Sequence, residues 1–186
     1  MLEWDALEDF CNTCRRCRLN ENRNKVVFGK GSKTASLMFV GEGPGRDEDA
    51  AGIPFVGKAG QLLDRILEAA GIDENDVYIG NIVKCRPPGN RIPAPDEARA
   101  CLPYLRNQVY LIKPKIIVCL GATAAKYIID DGIRITRDRG QWHQRKGYWL
   151  MATYHPAALL RDEAKKRPAW EDFKSIAAKL KGLKVG

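Results

Sequence analysis

Two pairs of cysteines, Cys14 and Cys17 in Cys-Arg-Arg-Cys and Cys85 and Cys101 with fifteen residues between them, have the types and spacing of a four-coordinate metal site. Each pair supplies neighbouring ligands, and a metal between them would join segments far apart in the chain. Thiolates suit zinc and iron–sulfur clusters alike, so spacing leaves the metal open. Cys11 forms another two-spaced pair with Cys14 and is an alternative ligand, whereas Cys119 lies in an apolar run and is expected in the core. In a reducing compartment six cysteines point to ligands, redox groups or buried residues rather than to a disulfide framework.

Four further positions carry groups suited to a base-sized ligand. Gly41-Glu42-Gly43-Pro44-Gly45 sets a carboxylate among glycines, where the main chain can approach a ligand and offer amide donors. Phe55, in Gly52-Ile-Pro-Phe55-Val-Gly57, can act as a stacking platform. Asn81 stands near the end of an apolar run, and an amide there can read a pyrimidine edge by donating to a carbonyl and accepting from the ring N–H. His155, one of only two histidines, lies in the loop Tyr154-His155-Pro156, a position suited to catalysis.

These groups need strand ends to hold them. Ala35 to Gly41 reads as a buried strand entering the glycine loop, Val77 to Val83 as a second, and Lys115 to Gly121 and Tyr148 to Thr153 as two more. Lys58 to Ala70 carries an apolar helical face, with Gly71 as its stop. Asp96 reads as the N-cap of a helix kinked or restarted at Pro103, after a proline-rich loop from Lys84 to Pro95. Helices are also expected over Ala122 to Ile129 and Pro168 to Leu183. The alternation predicts an α/β sandwich around a mostly parallel sheet, in a single domain 1–186 with a polar cysteine arm over 1–34.

The chain's 186 residues, 45% hydrophobic, suffice for one core. Its formal charge of +8, from 31 Lys and Arg against 23 Asp and Glu, has the sign of a surface that meets phosphates. No run approaches the roughly 18 apolar residues of a membrane span, and the first residues lack a basic region followed by an apolar stretch. A soluble, cytoplasmic protein is expected.

Taken in order, Gly41-Glu-Gly-Pro-Gly45, Pro54-Phe-Val-Gly-Lys-Ala-Gly60, Asn81-Ile-Val-Lys-Cys-Arg-Pro-Pro88 and His155-Pro-Ala-Ala-Leu159, with the cysteine spacing, resemble the family 4 uracil-DNA glycosylases. The likeness runs from about Cys14 to the C-terminal helix. It implies a three-layer α/β/α fold with a four-stranded central sheet, and a 4Fe–4S cluster on Cys14, Cys17, Cys85 and Cys101. It also implies a pocket in which Gly41, Glu42 and Gly43 form the wall, Phe55 stacks on a flipped uracil, Asn81 reads its edge and His155 meets the carbonyl that gains charge. The activity implied is hydrolysis of the N-glycosidic bond to uracil in single- or double-stranded DNA, by a monomer that hands an abasic site to downstream base excision repair proteins.

Breaking that bond leaves a cation-like sugar and an anion-like base, so donors at uracil O2 and a carboxylate that places water are what the chemistry requires. His155 and the amides near Gly41 suit the first task and Glu42 the second. In the better-known single-domain branch of the superfamily the water-directing aspartate stands where this chain has Gly43; Asp47, Glu48 and Asp49 are alternative carboxylates, otherwise read as a solvated acidic turn. Leu159 or Leu160 is placed to enter the gap left by the base. Arg161, Lys165, Lys166 and Arg167, together with Arg15, Arg16, Arg86 and Arg91, are candidates for phosphates. A sister group that is joined covalently to DNA through a histidine is disfavoured, because residues 86 to 99 contain none. A binding module or electron carrier would have no need of Glu42, Asn81 and His155 together.

Overall fold

Apolar runs too short for helices pair into one sheet. The computed structural model describes residues 2–185 and contains strands β1 (Lys30–Gly31), β2 (Leu37–Gly41), β3 (Val77–Asn81), β4 (Ile116–Leu120), β5 (Trp142–Arg145) and β6 (Tyr148–Thr153). Their order is β1-β3-β2-β4-β6-β5. The four inner strands are parallel, and β1 and β5 pair antiparallel at the two edges. The four-stranded sheet expected is therefore the centre of a six-stranded one. β1 is only two residues long and β5 is largely polar, so neither carries the apolar pattern that marks a strand.

Side chains alternate across the sheet and feed two cores. Met38, Val40, Tyr78, Ile117 and Cys119 face one way, packing with α1 (Trp4–Asn12), α4 (Pro95–Ile112) and α5 (Ala122–Ile128). Leu37, Phe39, Ile79, Val118 and Leu120 face the other, against α3 (Lys58–Ala69) and α8 (Lys166–Val185). On that side the rings of Phe39 and Phe173 stack with centroids 5.9 Å apart. The short helices α2 (Arg46–Ala51), α6 (Ile135–Asp138) and α7 (Pro156–Arg161) complete the three-layer α/β/α sandwich. None of the helices described is long and apolar enough to cross a membrane.

Two features of α4 differ from expectation. Its N-cap is Ala94 rather than Asp96, because Pro95 presets the first helical φ, and Glu97 reaches back to accept from the Ala94 N–H at 2.7 Å. Pro103 does not interrupt it, although it has no N–H to donate to the carbonyl of Arg99, itself an exposed residue.

Parallel pairing brings the C-terminal ends of the inner strands to one edge of the sheet. The register sets Gly41 level with Asn81, and Leu120 level with Thr153. The loops after these residues meet where strand order reverses around β2, the usual place for a ligand in an open α/β sheet.

Candidate active site

These loops enclose a cleft of about 850 Å³. Glu42, Gly43, Phe55, Asn81 and His155 line it, and Gly41 lies directly behind Asn81 and Phe55. Asn81, only 2% exposed, has a side-chain oxygen Oδ1 that is buried with no hydrogen-bond partner. A buried amide oxygen left unpaired costs about 1–3 kcal/mol, a cost that a donor brought by a ligand would remove. A Cβ on Gly41 would stand 2.5 Å from Asn81 Oδ1 and 2.8 Å from Phe55 Cζ, so only glycine lets the two functional side chains meet there. Phe55 is held at φ +54°, an uncommon conformation for an aromatic residue.

Gly43 is equally constrained, since a Cβ there would come 2.7 Å from Cγ2 of the fully buried, β-branched Val83. An aspartate at this position does not fit without moving Val83. Glu42, Asp47 and Glu48 all line the cleft; Glu42, one residue before Gly43, accepts a short hydrogen bond from Thr123 Oγ1 at the start of α5. Of the other acidic residues Asp47 is solvated as expected, but Glu48 and Asp49 are not. Glu48 accepts from the N–H groups of Gly45, Val56 and Gly57 at 3.1, 3.0 and 2.9 Å, tying the glycine loop to the Phe55 loop. Buried Asp49 accepts from Asn24 N and Nδ2 at 2.9 and 2.6 Å and anchors the N-terminal arm. With both oxygens engaged, Glu48 is poorly placed to serve as a base; Asp47 is exposed.

His155 is the N-cap of α7, and its Nδ1 accepts from the Ala157 N–H at 3.1 Å. The neutral ring must then carry its hydrogen on Nε2. Burial, assisted by the Arg161 charge and partly opposed by Glu48, pushes its pKa down to about 4. The imidazole ring faces Phe55, with centroids 5.6 Å apart and planes at 27°. Further along α7, Leu159 is 2% and Leu160 46% exposed, so Leu159 is a core residue and Leu160 alone is free to act as a wedge. Arg46, Lys58, Arg86, Arg91 and Arg161 give the cleft a basic rim.

Behind the cleft, Cys11, Cys14, Cys17, Cys85 and Cys101 line a single cavity, while Cys119 is buried in β4 away from it. Among the described residues no three His, Cys, Asp or Glu side chains are gathered closely enough to hold one metal ion. Thiolates around a shared space suit either a zinc ion or a polynuclear iron–sulfur group. Arg23 Nη1 donates to Cys85 Sγ at 3.2 Å and to the Cys14 carbonyl at 2.9 Å, and the Lys84 N–H donates to Cys101 Sγ at 3.2 Å. Lys84 itself is buried, its Nζ donating to Gln108 Oε1 at 2.7 Å; its positive charge opposes the effect of burial, which pushes the free thiols of Cys11 and Cys101 up to about 12. Donors and positive charge around the sulfurs fit a group bound through thiolates.

The profile of the uracil DNA glycosylase superfamily matches residues 28–174. The chain belongs to this superfamily. It is 44% identical over 174 residues to the type-4 uracil-DNA glycosylase of Thermotoga maritima, covering 90% of each chain, and 42% identical over 183 residues to that of Archaeoglobus fulgidus, covering 92% of each. A type-5 uracil-DNA glycosylase of Pyrobaculum aerophilum is 31% identical over 91 residues, 48% of this chain. The extent of the first two similarities makes it a member of the type-4 branch.

Within this type-4 chain, sequence reasoning missed Thr123 and Glu97. Thr123 bears no local motif and reaches Glu42 only through the β2–β4 pairing. Glu97 has no exposed side-chain surface; it takes Arg91 in two hydrogen bonds of 2.8 and 2.7 Å and Arg18 in one of 2.8 Å. These bonds hold its carboxyl down to about 2 and join the cysteine arm to the proline-rich loop.

Proposed function

We propose that this protein flips uracil out of DNA and hydrolyses its N-glycosidic bond, leaving an abasic site. Deaminated cytosine is the natural source of such uracil. The observation that carries the reading is the unpaired Oδ1 of Asn81 in a cleft walled by Phe55. It accepts from uracil N3–H while Nδ2 donates to O4, and Phe55 stacks on the ring. Cytosine presents an acceptor and a donor in these two places, leaving groups unpaired at about 1–3 kcal/mol each. Turning the amide to suit cytosine would bury the two-donor NH2 in the corner formed by Gly41 and Phe55, a costlier occupant than one oxygen.

As the bond breaks, negative charge grows on the base and positive charge on the sugar. His155, neutral and with its hydrogen on Nε2, donates to uracil O2 and stabilises the leaving anion without becoming an acid. Glu42, fixed by Thr123, holds the attacking water and faces the developing sugar cation. Of the rim arginines, Arg46, Arg86 and Arg161 take the flanking phosphates, while Arg91 is held by Glu97.

Cys14, Cys17, Cys85 and Cys101 would hold a 4Fe–4S cluster, with Cys11 on the cavity wall as the spare thiol. When bound, the cluster supplies a structural link between the N-terminal arm and the start of α4, and takes no part in cleaving the bond. The protein acts as a monomer and passes its product to downstream base excision repair enzymes. Incubation with a uracil-containing oligonucleotide followed by hot alkali tests the reading: strand breaks at the uracil are expected, and intact strands would overturn it.

A further inference from the structure

Large apolar side chains exposed among the described residues are few, and of these only Ile92 lines the cleft. It is also the most exposed of them, at 67%, and it stands on a rim otherwise rich in arginine. A single exposed isoleucine is ordinary; one whose main chain is clamped is less so. Arg91 Nη1 donates to the Ile92 carbonyl at 3.1 Å while the same guanidinium is fixed by Glu97, and the next residue, Pro93, is buried. The loop therefore holds an aliphatic side chain outward, where solvent gives it nothing to pack against. α7, which carries Leu160, contributes Ala157 and Arg161 to the same cleft.

We infer that Ile92 is a second apolar wedge, packing into the DNA base stack beside the everted nucleotide while Leu160 enters from α7. The basic rim commits the occupant to nucleic acid, and an apolar group within a base stack recovers burial only when the helix has been opened. This rests on the uracil-excising reading of the same cleft.

Single-turnover release of uracil from a U·A duplex and from the same strand unpaired, by unmodified protein, Ile92→Ala and Ile92→Leu, tests it. Removing three carbons that become buried in the duplex complex predicts a loss of about 50-fold on the duplex for Ile92→Ala. The unpaired strand, which has no stack to open, should lose less than about threefold, and Ile92→Leu should restore most of the duplex rate. Equal losses on both substrates, or an undiminished duplex rate, would overturn the inference alone. No release by unmodified protein from either substrate would overturn the glycosylase reading and the inference with it.

Discussion

Replacing Asn81 by alanine should separate stability from activity. In the free protein the substitution deletes a buried oxygen that has no partner, relieving about 1–3 kcal/mol. Three heavy atoms leave a small cavity, which offsets roughly 1 kcal/mol of this gain. The net change lies between zero and about +2 kcal/mol, or up to about 8 °C in apparent Tm for a chain of this size. In the complex with DNA the same change removes the bonds to uracil N3–H and O4. At about 1–3 kcal/mol each, kcat/KM should fall between roughly 30-fold and 10⁴-fold. Thermal melts of the purified protein, set beside single-turnover uracil release, check both halves. A Tm that drops by more than about 5 °C would mean that the oxygen had a partner after all. Release within threefold of the unmodified rate would mean that the amide does not read the base.

The other side chains give separate tests. His155 has a folded pKa of about 4, below its ordinary value of 6.5, so the folded state binds fewer protons than the unfolded state between these limits; its stabilising contribution is complete above pH 6.5 and is lost as pH falls towards 4. NMR titration of the His155 ring should show no protonation from pH 8 down to about 5, and a midpoint near 6.5 would contradict the neutral-donor role. Thr123→Val removes the hydroxyl that holds Glu42 and should lower kcat about 10- to 100-fold with little effect on DNA binding, measured by single-turnover kinetics and fluorescence anisotropy; an unchanged kcat would release Glu42 from its role. Cys11→Ala should keep its full iron and sulfide content whereas Cys85→Ala should lose it, with lower stability and weaker DNA affinity, as read by visible absorbance, metal analysis and anisotropy.

What could be read from the sequence was whatever sits in local patterns. The inner strands announce themselves because both their faces are buried, and α3 because its apolar face recurs at helical spacing. Gly41 and Asn81 close inner strands, and Phe55 and His155 stand in loops, positions where residue type and place together suggest a ligand. Tertiary partnerships left no such trace. Glu48 and Asp49 look like a solvated turn until the Phe55 loop and the arm fold onto them. Asp96 looks like a better cap than Ala94 until Pro95 and Glu97 are considered together. The edge strands were invisible because two residues, or a polar run such as Trp142-His-Gln-Arg145, become strands only by pairing with β3 and β6.

The most direct test of the account is the ratio of single-turnover release rates for uracil and cytosine placed at one position of one duplex. With Asn81 reading the polarity of the base edge, two mismatched groups at about 1–3 kcal/mol each predict a preference for uracil of at least about 30-fold. Free uracil should appear in step with abasic sites. Release of cytosine at a comparable rate, or no release of uracil, would contradict it.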